Sequence, residues 1–224
     1  ILFREFCAIV KTWMRVAQLR NEMTTPDWER AQQYILQRLQ LELPEGLGYH
    51  GVHHTRDDVL PAAERLARLA GLDDEAWLLL RTAALYHDVG YIEQYFRNEP
   101  IAVRLAEETL PDFGYSPAQI EAIVDIIMAT RMPQAPRTYL AELLCDADLD
   151  SLGREDYWAT SVALREELRL HGMEIPMLQW LNRQHQFLST HTYFTKVARD
   201  LRNAGKRENI AMLERRLADA TAEL

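Results

Sequence analysis

The fold is set by one apolar stretch near the middle of the chain, which reads Trp77-Leu78-Leu79-Leu80-Arg81-Thr82-Ala83-Ala84-Leu85-Tyr86-His87-Asp88-Val89-Gly90. Its apolar residues occupy nearly every face of a helix, which is typical of a helix buried at the centre of an all-α protein. Asp73 stands where it can cap the first turn. The helix delivers His87 and Asp88 at its C-terminal end. Burying a carboxylate there is costly unless another charge compensates it, and a divalent cation is the natural compensation.

Helical patterns continue on both sides of this stretch. Gly71 predicts the end of the preceding helix, and Ser116-Pro117-Ala118-Gln119 is a capping box with proline in the first turn. The predicted helices run from Thr25-Pro26 to about Leu41, from Val59 to Ala70, from Ser116 through Ile127, and over roughly 137–149, 154–171, 175–190 and 192–221, the last interrupted near Gly205. No alternating β pattern of useful length occurs, so the sequence predicts an all-α helical bundle.

Length and composition indicate one globular domain with an appendage. Residues 23–224 suit a single domain. Residues 1–22 are predicted to form an N-terminal helical extension, either an accessory helix or an addition to the natural chain, and they carry too many charges to span a membrane. The net charge of −9 disfavours a broad nucleic-acid surface but leaves small nucleotides as ligands. The two cysteines, Cys7 and Cys145, lack a disulfide pattern, which favours a reducing, cytoplasmic location.

Further potential metal ligands lie upstream and downstream of His87-Asp88. The upstream segment is Tyr49-His50-Gly51-Val52-His53-His54-Thr55, and the downstream segment is Cys145-Asp146-Ala147-Asp148. Imidazole and carboxylate together suit borderline-to-hard divalent metals. Neighbouring residues on a helix diverge by about 100°, so His87 and Asp88 can reach one ion only where the backbone leaves the helix, and Val89-Gly90 provides that opportunity.

These segments, in this order, resemble the motifs of the HD superfamily of metal-dependent phosphohydrolases. Tyr49 to Thr55 is similar to its first-histidine segment, Leu85 to Gly90 to its HD segment, and Leu144 to Leu152 to its last-aspartate segment. The resemblance implies an HD-type domain with a metal site between central helices. The implied ligands are His54, His87, Asp88 and Asp148. His50 and His53 compete with His54 for the first position, and Asp146 competes with Asp148 for the last.

The resemblance also implies an activity. It predicts hydrolysis of a small phosphate ester, with a nucleotide favoured, by water activated on one divalent ion (Mn, Fe, Co, Ni, Zn or Mg). No histidine occurs between His87 and His171, which favours a mononuclear site and disfavours an oxygenase. A homo-oligomer is compatible with this interpretation. The alternative is a noncatalytic HD module that binds a nucleotide and regulates an attached domain.

Two further residues are candidates for catalysis. Glu99 resembles a glutamate that orients water or transfers a proton in related hydrolases, although it can equally stabilise the N-terminus of the following helix. Arg131 follows an isoleucine-rich helix and is predicted to clamp phosphate, with a solvated cation as the alternative. Asp146 and Asp150 are expected in supporting roles around the ligands.

Overall fold

The computed structural model describes residues 25–222, and within that range the chain forms nine α-helices and no β-strand. The predicted extension over residues 1–22, the start of the domain at residue 23 and Cys7 lie outside the described residues. The helices are α1 (Trp28–Glu42), α2 (Leu60–Ala70), α3 (Asp74–Tyr86), α4 (Glu99–Thr109), α5 (Pro117–Met128), α6 (Tyr139–Asp148), α7 (Tyr157–Leu170), α8 (Met177–Thr190) and α9 (Lys196–Ala222). Among residues 25–222, no helix combines the length and apolar character needed to cross a membrane. The all-α prediction is confirmed for this range.

Helix α3 is the central element, as its apolar sequence predicts. Asp73 caps it, its side chain accepting a hydrogen bond from the Ala76 amide. Helices α1, α2, α5 and α6 all pack against it. The last five residues, 82–86, are fully buried, so the residues that follow emerge inside the protein. At Asp88 the backbone leaves the helix (φ −108°, ψ 5°), and a 3₁₀ turn follows over Val89–Ile92.

Two of the predicted helix boundaries are confirmed in detail. Gly71 ends α2 in the left-handed conformation (φ 68°), which a residue with a Cβ adopts at a cost. The capping box at the start of α5 is formed by Ser116 and Gln119, with Pro117 in the first turn. Before α2, residues His54–Val59 form a π-helical segment that continues directly into that helix.

Two other boundary predictions are wrong. Thr25-Pro26 does not cap α1; Asp27 does, because its carboxylate accepts from the Arg30 amide. Gly205 does not interrupt the last helix, since α9 runs unbroken from Lys196 to Ala222. A Cβ on Gly205 would lie 2.3 Å from the Gly153 carbonyl oxygen, so this glycine permits close helix packing rather than a break.

The residues around the end of α6 hold α9 in place. Asp146 is 1% exposed and accepts hydrogen bonds from the backbone amides of Phe194 and Thr195, just before α9. Asp150 forms ion pairs with Arg65 of α2 and Arg202 of α9. The end of α6 is therefore fixed from two sides.

Candidate metal centre

Three separate elements bring four ionisable side chains together. His54 comes from the π-helical segment before α2, His87 and Asp88 from the end of α3, and Asp148 from the last position of α6. His54 Nε2 lies 3.3 Å from Asp148 Oδ1 and 3.5 Å from Asp88 Oδ2. His87 Nε2 lies 3.2 Å from Asp88 Oδ2 and 3.6 Å from Asp148 Oδ1. Both imidazoles thus share the same two carboxylate oxygens.

Both histidines face the two carboxylates through Nε2. His87 Nδ1 lies 2.8 Å from the Ala84 carbonyl oxygen. Because a carbonyl only accepts, Nδ1 carries a proton, and Nε2 is the nitrogen that faces the carboxylates. His87 Nε2 and Asp88 Oδ2 are both buried without a hydrogen bond. Buried polar atoms without hydrogen bonds are costly in a protein interior, and a cation bound between these two atoms would satisfy both.

The spacing of these atoms fits a small ion. Candidate ligand atoms of His54, His87 and Asp148 all lie within 4.8 Å of one another, and this is the one such cluster found among the described residues. For metal–ligand bonds of about 2.1 Å, adjacent ligand atoms stand about 3.0 Å apart in an octahedron and about 3.4 Å apart in a tetrahedron. The contacts of 3.2 and 3.3 Å are in this range, and those of 3.5 and 3.6 Å exceed it by 0.1 to 0.2 Å. The cluster can hold a metal ion.

The charges of the cluster are strongly coupled. Burial favours neutral forms, yet His87 beside it lowers the pKa of Asp88 to about 2. Burial likewise opposes ionisation of Asp148, but His54 and His87 hold its pKa well below the ordinary value. Burial tends to lower the pKa of His87, but the two carboxylates raise it well above 6.5. Protonated His87 is thus one charged partner of the two carboxylates, and a metal ion at Nε2 would take the place of that proton.

Each carboxylate has a second oxygen held by a carboxamide. Asn98 Nδ2 donates to Asp88 Oδ1 at 3.0 Å. Gln134 Nε2 lies 3.4 Å from Asp148 Oδ2 and 3.3 Å from the Cys145 carbonyl oxygen. Neither Asn98 nor Gln134 stands out in the sequence.

A buried His–Glu pair borders the cluster. Glu167 of α7 is fully buried and accepts from the backbone amides of Tyr49 and His50, at 2.7 and 2.9 Å. Its other oxygen lies 2.5 Å from His50 Nδ1 and also accepts from the Tyr95 hydroxyl. Burial raises the pKa of Glu167, but these hydrogen bonds outweigh it and leave the pKa below its ordinary value.

Aromatic side chains enclose this pair. Tyr91 stacks on the His50 ring at 4.4 Å between centroids, and His171 stacks on Tyr95 at 3.7 Å. The His50 and His54 rings are 5.7 Å apart. The His50 imidazole is thus clamped on one nitrogen by Glu167 and on one face by Tyr91, directly beside the cluster. The sequence offered no signal for Glu167, because it lies 117 positions from His50.

The other residues predicted for the site lie outside the cluster of four side chains. His53 is exposed at the start of the π-helical segment, so His54 is the histidine that joins the cluster. Asp146 faces α9 and stays outside it. Glu99 begins α4, with one carboxylate oxygen buried and without a hydrogen bond. Arg131 is exposed, and its side chain has no hydrogen bond or ion pair within residues 25–222. The catalytic roles of Glu99 and Arg131 stay predictions.

Comparisons with protein-family models, with curated proteins and with solved structures find no match for this chain.

Proposed function

We propose that this protein is an HD-type, metal-dependent phosphohydrolase that acts on a small phosphate ester, with a nucleotide as the favoured substrate. One observation carries the proposal. Two imidazole nitrogens and two carboxylate oxygens from three elements converge at 3.2–3.6 Å, and two of these atoms are buried without a hydrogen bond. The order of these residues along the chain also resembles the HD pattern.

His54, His87, Asp88 and Asp148 would hold one divalent ion. When bound, such an ion supplies Lewis acidity toward a phosphoryl oxygen and lowers the pKa of water. Mixed imidazole and carboxylate donors favour Mn, Fe, Co, Ni or Zn, with Mg as a weaker candidate.

The His50–Glu167 pair is suited to move a proton in this reaction. Glu167 lies 2.5 Å from Nδ1 of His50 and so fixes the orientation of its ring. The other nitrogen, Nε2, is left to donate a proton to a leaving oxygen or to accept one from water. His50 adjoins the cluster and is clamped in place by Glu167 and Tyr91, whereas among the described residues no hydrogen bond or ion pair joins Glu99 to the four ligands. We therefore favour His50 over Glu99 as the proton-handling residue.

A substrate screen tests the proposal. Purified protein would be incubated with nucleoside mono-, di- and triphosphates, cyclic nucleotides and simple aryl phosphates, each with Mn²⁺, Co²⁺, Ni²⁺, Zn²⁺ or Mg²⁺. Release of phosphate or alcohol is measured. We expect hydrolysis that is lost on chelation and in His54→Ala. His185→Ala is the matched control, because His185 lies on α8 and its one ion pair within residues 25–222 is with Glu214.

The same screen distinguishes a hydrolase from the alternative, a noncatalytic module that binds a nucleotide. A noncatalytic module would bind a nucleotide in a stoichiometric ratio with metal present and release no product. That result, with every substrate and ion tested, contradicts the proposed hydrolase.

A further inference from the structure

We propose that the carboxamides of Asn98 and Gln134 restrict each metal-facing carboxylate to one ligand oxygen, and that this restriction makes the site select small transition-metal ions over Ca²⁺. The inference rests on the metal site of the proposed function. It assigns to Asn98 and Gln134 the role of positioning residues, since both act through Asp88 and Asp148.

Asn98 shows the restriction most directly. It stands at the N-cap of α4, where an asparagine side chain usually accepts a hydrogen bond from the helix backbone. Here the side chain makes no capping bond. It is turned to Asp88, with Nδ2 donating to Oδ1 at 3.0 Å, and is 4% exposed. Asp88 Oδ2 is then the oxygen that faces both histidines.

The chain path after Asp88 keeps Asn98 in this position. A Cβ on Gly90 would lie 2.0 Å from the Asn98 carbonyl oxygen. The same carbonyl accepts from the amides of Ile101 and Ala102 at the start of α4. The absence of a side chain at Gly90 thus lets the start of α4 approach the end of α3, and Asn98 reaches Asp88 as a result.

Gln134 binds the second carboxylate oxygen of Asp148 in the same way. Its Nε2 lies between Asp148 Oδ2 and the Cys145 carbonyl oxygen, at 3.4 and 3.3 Å. Asp148 Oδ1 is left facing His54 and His87. Two carboxylates from different helices therefore each have one oxygen bound to an amide and one directed into the cluster.

This arrangement predicts which ions the site accepts. Ca²⁺ takes about six to eight oxygen ligands at about 2.3–2.6 Å and often binds a carboxylate through both oxygens. Transition-metal ions accept imidazole and single carboxylate oxygens at about 2.0–2.2 Å. With two nitrogens and two single oxygens, the cluster offers too few oxygens for Ca²⁺. Freeing the second oxygens would make it a better calcium site.

The test replaces each amide by an apolar side chain of similar size, Asn98→Leu and Gln134→Met. Asn182→Leu and Gln186→Met are the matched controls, because both residues are exposed on α8. Co²⁺ and Ca²⁺ affinities are measured by titration calorimetry, and the visible absorption of bound Co²⁺ reports its coordination. Circular dichroism establishes that each variant is folded. Gln134 is only half-buried, so its variant tests the proposal even if Asn98→Leu does not fold.

We expect wild-type protein and both controls to prefer Co²⁺ strongly. Loss of an outer hydrogen bond typically weakens metal binding by about 10- to 100-fold, so the Co²⁺ to Ca²⁺ affinity ratio should fall by at least about tenfold in the folded variants, with an altered Co²⁺ spectrum. An unchanged ratio and spectrum in the folded variants would overturn the proposal, as would equal wild-type affinity for the two ions.

Failure of this inference is distinct from failure of the proposed function. A chain that binds Co²⁺ with the expected preference, loses it in the variants and hydrolyses no phosphate ester supports the amide roles and contradicts the hydrolase. A chain that hydrolyses phosphate esters with its ion preference unchanged in both variants contradicts the amide roles alone.

Discussion

Asp146 and Asp148 lie two residues apart on α6 but serve different partners. Asp148→Asn should weaken metal binding strongly, because its Oδ1 faces both histidines. Asp146→Asn should leave metal affinity nearly unchanged and lower the free energy of unfolding by about 2 to 3 kcal/mol, since a buried carboxylate loses charge-assisted hydrogen bonds. Calorimetric titration with Co²⁺ and denaturant unfolding measure the two effects. The reverse order of metal affinities would mean that Asp146, and not Asp148, binds the ion.

His50 is the residue whose replacement best separates chemistry from metal binding. His50→Ala should lower kcat by about 100-fold or more, the usual contribution of general acid–base catalysis, and remove one limb of the pH–rate profile. Bound metal per chain should not change, because His50 is outside the ligand set. His53→Ala serves as the control, since His53 is the exposed neighbour. Equal activity of His50→Ala and His53→Ala would contradict this role for His50 and leave Glu99 as the candidate that transfers the proton.

Glu167 makes stability depend on pH in a predictable direction. Its pKa in the folded protein lies below the ordinary value of 4.5, so its ionised form contributes stability above that value, and the contribution is lost as pH falls through the folded pKa. Glu167→Gln should therefore destabilise the protein most near neutral pH and progressively less in acid. Chemical unfolding of both proteins at several pH values tests this. A destabilisation that is constant with pH would contradict it.

At the residue level, the sequence predicts which candidate ligands come together better than it predicts their surroundings. The four candidate positions follow from short motifs, because adjacent or nearly adjacent residues identify them, and their binding of a metal stays a prediction. Glu167, Asn98 and Gln134 act through tertiary contacts, some with partners far along the chain. Asn98 occupies an N-cap position, where asparagine commonly bonds to the helix backbone, but here its side chain binds Asp88 instead.

The junction between α3 and α4 depends on a glycine. Gly90→Ala should lower thermal stability and also weaken metal binding, because the new methyl group would displace Asn98 from Asp88. Gly71→Ala is the control. An alanine at this left-handed φ of 68° should lower the free energy of unfolding by about 1 kcal/mol. No atom lies within 4 Å of a Cβ at this position, so metal affinity should be retained. Thermal unfolding and Co²⁺ titration of both variants measure the difference. Normal metal affinity in Gly90→Ala would contradict this account.

Several helix ends can be predicted from the local sequence alone. The caps at Asp73 and Ser116 and the glycine at 71 follow from contacts within four residues, and all were predictable. The predicted break at Gly205 is wrong because the role of this glycine is set by Gly153, a partner 52 positions away that approaches it closely. A glycine that permits packing and one that ends a helix look alike in a sequence.

At the scale of the whole molecule, α9 is tied to the end of α6 at several points. Asp146 binds the residues that precede α9, Arg202 pairs with Asp150, and Asn209 donates to the carbonyl oxygens of Leu152 and Arg154. Asp148 stands between Asp146 and Asp150. Helix α9 therefore holds the segment that carries the candidate ligand Asp148 through bonds to the residues on either side of it.

This linkage has a consequence for local opening of the fold. Release of α9 from the bundle would loosen the end of α6 and so weaken binding of an ion by Asp148. Because the ion would bind only while α9 is packed, it would stabilise the packed form by mass action and oppose the release of α9. Amide hydrogen exchange would reveal the effect. Adding Co²⁺ should slow exchange in residues 196–210 more than in α1, and equal slowing in both would contradict the linkage. The ion would then protect a helix that supplies none of its ligands.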